Sequence, residues 1–256
     1  MLNFLTGDVA VIGAHFVDHP DVVLIAFTGS REVGLKIWEA GGKTRPGQRE
    51  LKRVICEMGG KNAAIVDSDA DLDETIVDSI YSAFGYQGQK CSALSRLIVL
   101  EENYERCVSR LLAAAGSLRV GNPEDPGITV GTVIDDVAHK RILETIERAK
   151  SEATLAFQGK NVPNEGYFVP PTIFTDVKPN AKIAQEEIFG PVLSVIKVRD
   201  LDEALEVANG TDYARTGGFF SRSPANNERA KGELLAGSCQ IYHSRTRWVL
   251  GRRPLG

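Results

Sequence analysis

The chain has 256 residues, 43% hydrophobic and 25% charged, with a formal net charge of -4, enough to bury a core in one large domain or two small ones. That balance carries no basic stripe beside an aromatic platform, which excludes the usual nucleic-acid footprint; the longest apolar run, VVLIAF at 22 to 27, is too short to span a bilayer. Cysteines 56, 91, 107 and 239 form no CxxC and the four histidines no HExxH, so neither a disulfide framework nor a zinc site is expected, and a soluble cytoplasmic chain (or mitochondrial matrix, in a eukaryote) is the expectation.

Strand-like and helix-like segments alternate along the chain, the pattern of an α/β fold. VVLIAF reads as a buried strand, TGS as its turn, and Ser30 as the cap of a helix through REVGLKIWEAG with Val33, Ile37 and Trp38 on one face. A polar Pro-Gly loop at 43 to 50 leads to two strands, LKRVICEM and AAIVD, broken by Gly59 and Gly60. Asp71 and Glu74 open a helix with the apolar face Leu72, Ile76, Val77, Ile80 and Phe84, which Gly85 and Gly88 end before the strand RLIVLE. Two helices follow, one with Tyr104, Cys107, Val108, Leu111 and Leu112 on a side, the other with Ala138, Ile142, Ile146 and Ala149. Strands VPPTIF and VLSVIKV, a helix from Asp200 to about Ala208, the strand GGFFS and a helix ending near Gly237 complete the pattern.

Four places carry chemistry-bearing residues. Cys91, in FGYQGQKCSALSR, follows glycines that let the backbone approach a ligand, so it is either an idle loop thiol or a nucleophile held up to a pocket. Cys56 in a strand and Cys107 on an apolar helix face read as core, and Cys239 gives no signal. Glu57, in VICEMGGKN, is a candidate general base or a strand-end carboxylate facing water. Glu187 and Phe189, in EEIFGPV, read as a functional turn or as a loop whose Phe plugs the core. FTGS, with Gly29 and Ser30 between a strand and a helix, resembles a phosphate-binding turn, although no GxGxxG follows any strand.

In this order FTGS, EMGGKN, GQKCS and EEIFGPV resemble the NAD(P)-dependent aldehyde dehydrogenase superfamily, with 34 residues from Glu57 to Cys91 and 96 from Cys91 to Glu187. FVDHPD, FTGSREVGLKI, PGQRELKRVI and SAFGYQGQKCSA look like its 1-pyrroline-5-carboxylate dehydrogenase branch, over about residues 2 to 237. The resemblance implies an aldehyde dehydrogenase-like catalytic domain at 59–237, preceded by the end of a Rossmann-type NAD-binding domain at 1–58 and followed by a divergent closing segment at 238–256. It implies Cys91 as the nucleophile, Glu57 as the base that activates hydrolytic water, and the Cys91 N–H as one oxyanion donor. Gly29 and Ser30 would face the pyrophosphate of NAD (or NADP), Glu187 would hold the nicotinamide ribose, Phe189 would pack near the ring, and Ser92 would line the aldehyde pocket. The implied partner is a small-molecule aldehyde such as glutamate semialdehyde, with a homo-oligomer for the full-length family and neither nucleic acid nor membrane.

This sequence departs from the family pattern in ways that motivate a rival expectation. Met1 enters near the end of the coenzyme domain, past an upstream asparagine that supplies the second oxyanion donor in the family. Cys56 replaces an aliphatic residue, and Arg215 stands where leucine is usual. In the tail, Ile241, Thr246, Gly251, Arg252, Pro254 and Gly256 follow the family pattern, but Tyr242, His243, Arg247 and Trp248 do not. The rival reading is a non-catalytic remnant or interaction module, and a third is cofactor-free cleavage of an activated ester by Cys91 and Glu57.

Overall fold

Asp8 opens the first helix, α1 (Val9–Asp18), by accepting the Ala10 N–H, at 2.8 Å, and the Val11 N–H. The computed structural model describes residues 2–242 and divides into two compact units, one ending at Gly59 and one beginning at Gly60. In the first unit α1 is followed by β1 (Leu24–Thr28), α2 (Arg31–Gly41) and β2 (Arg53–Glu57). The two strands pair in parallel, from Leu24 against Arg53 to Thr28 against Glu57, so this is a βαβ unit whose crossover is α2. Ser30 caps α2 as the sequence predicts, its Oγ accepting the Val33 N–H at 3.3 Å.

The expected face of α2 is corrected. Trp38 is 66% exposed and Val33 is exposed too, while the buried positions are Gly34 and Gly41. A methyl on Gly34 would lie 2.7 Å from Met58 Sδ, and one on Gly41 2.6 Å from Val54 Cγ2. The glycines let the helix lie close on a sheet too narrow to cover the larger side chains.

The second unit is built on a seven-stranded sheet. Its elements are β3 (Ala63–Val66), α3 (Leu72–Phe84), a 3-10 turn (Gly85–Gly88), β4 (Arg96–Leu100), α4 (Glu101–Ala115), α5 (Asp136–Ala149), β5 (Thr154–Gln158), β6 (Thr172–Thr175), α6 (Lys182–Gln185), β7 (Val192–Val198), α7 (Leu201–Asn209), β8 (Thr216–Phe220), α8 (Pro224–Glu233) and β9 (Ser238–Tyr242). The strand order is β5-β6-β7-β4-β3-β8-β9, parallel throughout except for β5, which runs against β6 at one edge. Ile65, Ile98 and Ile196 face α5, α7 and α8, whereas Ala64, Val66, Leu97 and Val195 face α3 and α4. Covered on both sides, β3 and β4 are buried at every position, as a parallel sheet requires.

The face predicted for α5 is the buried one, Ala138, Ile142, Ile146 and Ala149. That of α3 shifts: Val77 is 68% exposed, and Thr75, Ser79 and Ala83 join Leu72, Ile76 and Phe84 inside. Thr75 is accommodated because its Oγ1 donates to the Asp71 carbonyl at 2.6 Å. α8 ends at Glu233, four residues before the expected stop at Gly237, and the chain runs on into β9. Cys239, without a signal in the sequence, sits in β9 against the core. The tail pattern from His243 onward lies outside the described residues, among which no helix is long and apolar enough to cross a membrane.

Two cations are buried where the sheet begins. The Arg96 guanidinium, 2% exposed, donates to the carbonyls of Lys61 at 2.9 Å, Val207 at 2.7 Å and Ala208 at 2.8 Å, so it caps the last turn of α7. Lys61 is 1% exposed, and its Nζ meets no hydrogen-bond acceptor among the described residues. Burial first, then repulsion from Arg96, lowers its pKa from 10.5 to about 7, while Glu187 and Glu186 pull the other way. Between those two values the unfolded chain binds more protons than the folded one, so this group makes stability rise with pH across that window and leaves its full penalty below about 7. Lys61→Met is therefore expected to stabilise the chain by roughly 1–4 kcal/mol near neutral pH and less as pH approaches the upper value. Urea unfolding of both proteins across the window measures this, and a variant offset that does not shrink with rising pH would contradict it.

Candidate active site

The turn bearing Cys91 starts where α3 stops. Gly85 closes the helix by donating its N–H to the Tyr81 carbonyl, after which Tyr86 and Gln87 take left-handed φ values of 53° and 57°. Such a conformation costs an L-residue about 1–2 kcal/mol, so the surroundings hold it. Gly88, at φ 66°, could not be otherwise: a methyl there would lie 2.2 Å from the Gly190 carbonyl oxygen. The Gln89 side chain then accepts the Ile134 N–H at 3.1 Å.

Cys91 and Ser92 are the central residues of a turn closed by the Ala93 N–H donating to the Lys90 carbonyl at 3.0 Å. Leu94 N–H returns the chain to α3 through the Ser82 carbonyl at 2.9 Å. The Asn62 side-chain amide donates to the carbonyls of Cys91 at 2.9 Å and Ala93 at 2.7 Å. Its own carbonyl oxygen, Oδ1, accepts the Thr216 N–H at 3.0 Å, and its backbone carbonyl accepts the N–H groups of Ser95 and Arg96. With the carbonyls so engaged, the N–H groups of Cys91 and Ser92 donate to no acceptor among the described residues. Cys91 is half-buried and Ser92 exposed.

Glu187 reaches the same place through Gly60. The Gly60 N–H donates to Glu187 Oε1 at 2.8 Å, and a methyl on Gly60 would sit 2.6 Å from the Cys91 carbonyl oxygen. Glu187 Oε2 has no partner among the described residues. Phe189 takes a left-handed φ of 53° and is exposed, while Ile188 is buried; Ile188, not Phe189, plugs the core. Glu187, Phe189, Gly88 and Lys90 line one small cavity. Within the second unit Gly60 thus lies against both Glu187 and the Cys91 turn, whereas Phe189 shares the cavity with Glu187, Gly88 and Lys90 but not with Cys91 or Ser92.

Glu57, Gly29 and Ser30 form a group of their own in the first unit. Glu57 ends β2 opposite Thr28, its backbone carbonyl accepts the Gly29 N–H at 3.1 Å, and Ser30 begins α2. All three lie at the carboxyl ends of the paired strands, where open α/β sheets bind ligands. Burial pushes Cys107 up to about 12, and it raises Cys56 and Cys239 as well. Among the described residues no group of three His, Cys, Asp or Glu could hold a metal ion.

Sequence reasoning gave Gly60 only the part of a break between strands and assigned no role to Lys61 or Asn62, although EMGGKN holds all three. The available signal was a charged and an amide side chain between two glycines and a fully apolar strand, a place where polar groups need long-range partners.

The Aldehyde dehydrogenase family model matches residues 1–252. Over 256 residues the chain is 45% identical to 1-pyrroline-5-carboxylate dehydrogenase of Bacillus subtilis (strain 168) and 46% identical to that of Geobacillus kaustophilus (strain HTA426). Each alignment takes in 100% of this chain and 50% of the relative, so the chain spans about half the length of the curated relatives it matches. Proline utilization A from Bdellovibrio bacteriovorus superimposes with a TM-score of 0.92 at 52% identity, over 93% of this chain and 25% of that one. The 1-pyrroline-5-carboxylate dehydrogenase from Thermus with bound NAD gives 0.90 at 49% identity, over 93% and 46%. The chain belongs to the aldehyde dehydrogenase family.

Proposed function

We propose that this chain carries the thiol chemistry of an NAD-dependent aldehyde dehydrogenase, with 1-pyrroline-5-carboxylate, as its open form L-glutamate 5-semialdehyde, for substrate. The observation that carries this reading is the turn at Cys91, where a half-buried thiol lies beside two N–H groups with no acceptor among the described residues. In this reading residues 59–237 are the catalytic domain and 1–58 the end of the coenzyme domain.

The residues present suit a dinucleotide. Glu187 keeps an oxygen for a ribose hydroxyl while Gly60 holds the other; in the first unit the exposed start of α2 offers the Ser30 N–H to a phosphate, with Gly29, whose own N–H goes to the Glu57 carbonyl, beside it. NAD bound there would supply the hydride acceptor. Cys91 Sγ attacks the aldehyde carbon, and the Cys91 N–H steadies the oxyanion of the resulting thiohemiacetal. Glu57 would take a proton from the water that hydrolyses the Cys91 thioester, releasing the carboxylic acid and the thiolate. Ser92 lines the aldehyde pocket, and Phe189 packs beside the cofactor ring.

The test is NADH formation from glutamate semialdehyde by this chain fused to the N-terminal half of the Bacillus subtilis relative, followed by absorbance. Cys91→Ala is expected to abolish turnover. Glu57→Gln should slow it by roughly 10²–10⁴-fold while sparing the first burst of NADH, because it acts on hydrolysis. Glu187→Gln keeps an acceptor for Gly60 and is expected to raise KM for NAD more than it lowers kcat. Turnover that survives in Cys91→Ala would overturn the assignment.

A further inference from the structure

The inward polar groups of the Cys91 turn converge on a single residue outside it. Asn62 is buried, and its amide orientation follows from its partners: Oδ1 faces the Thr216 N–H while Nδ2 faces the carbonyls of Cys91 and Ala93. The carbonyl and N–H of a trans peptide point in opposite directions. Drawing the Cys91 carbonyl to Asn62 therefore turns the Ser92 N–H away from it, and the Ala93 bond fixes the far side of the same turn. The Asn62 backbone carbonyl fastens the chain immediately after the turn by accepting the N–H groups of Ser95 and Arg96.

We propose that Asn62 is the positioning residue of the nucleophile, its side-chain amide setting the direction of the Cys91 thiol and of the Ser92 N–H beside it. The idea rests on Cys91 as the nucleophile, but it concerns how the thiol is presented and can be measured without turnover. Failure of the dehydrogenase reading would thus leave it standing, and its own failure would leave that reading intact.

The experiment is the pH profile of iodoacetamide alkylation at Cys91 in the intact chain, followed peptide by peptide with Cys56 as internal reference. Asn62→Ala removes both donated bonds and the one accepted from the Thr216 N–H. Asn103→Ala is the control: Asn103 is also buried and donates to two carbonyls, of Asp67 and Ser68, at 2.8 Å each, within a different loop. With the Ser92 N–H dipole no longer fixed, Asn62→Ala is expected to slow Cys91 about tenfold near neutral pH, a shift of its profile by about one unit upward. Cys56 in that variant, and Cys91 in Asn103→Ala, should keep their profiles. If Asn62→Ala does not fold, Asn62→Ser, which retains one donor, should give a smaller shift in the same direction. An unmoved or accelerated Cys91 in the folded Asn62 variant, or an equal shift in the control, would overturn the proposal.

Discussion

Two backbone carbonyls of the Cys91 turn are satisfied by one side-chain amide, and the front of the second unit depends on that arrangement. Asn62 gives both amide protons to Cys91 and Ala93, and its backbone carbonyl receives Ser95 and Arg96. Arg96 in turn binds the Lys61 carbonyl and the end of α7, while Gly60 holds Glu187. Residues 60–62 thus join the thiol turn, the Glu187 loop and a helix terminus. Each buried polar group left unmade would cost about 1–3 kcal/mol, so these segments move together or not at all.

Strain gathers at the same place. Tyr86, Gln87 and Phe189 all hold left-handed backbone, and Gly60 and Gly88 occupy positions where a methyl would meet another segment's backbone oxygen. Each of these non-glycine residues costs about 1–2 kcal/mol and persists because its surroundings leave no alternative. The approach of Gly88 to the Gly190 carbonyl brings the Cys91 loop against the Glu187 loop, which two distant sequence motifs alone do not determine. Buried Lys61 adds electrostatic cost beside this strain. The site is held by the sheet and helices behind it rather than by its own stability.

What was legible in the sequence was what local physics decides. β7 was readable as VLSVIKV and α5 as a stripe at helical spacing, because burial on one or two faces imposes a period. Cys91 stood out because glycines precede it. The face of α2 was misread because glycines, not large side chains, make its contact, and that of α3 because Thr75 enters the core by bonding its own helix. β5 and β9, at the two edges of the sheet, escaped notice, as their pairing is decided by β6 and β8 rather than by their own pattern. The roles of Gly60 and Asn62 escaped for the same reason: their bonds reach 127 and 29 to 154 residues along the chain.

On the proposed function Cys91, alone among the four cysteines, acts as a nucleophile toward carbonyl carbon. The direct measurement is to incubate this chain with an activated acetate ester, without nucleotide, quench in acid and locate the acetyl group by peptide mass spectrometry. Acetylation is expected at Cys91 ahead of Cys56, Cys107 and Cys239, with that preference lost when the chain is unfolded before the ester is added. Acetyl groups spread evenly over the exposed thiols, or absent from Cys91, would contradict it.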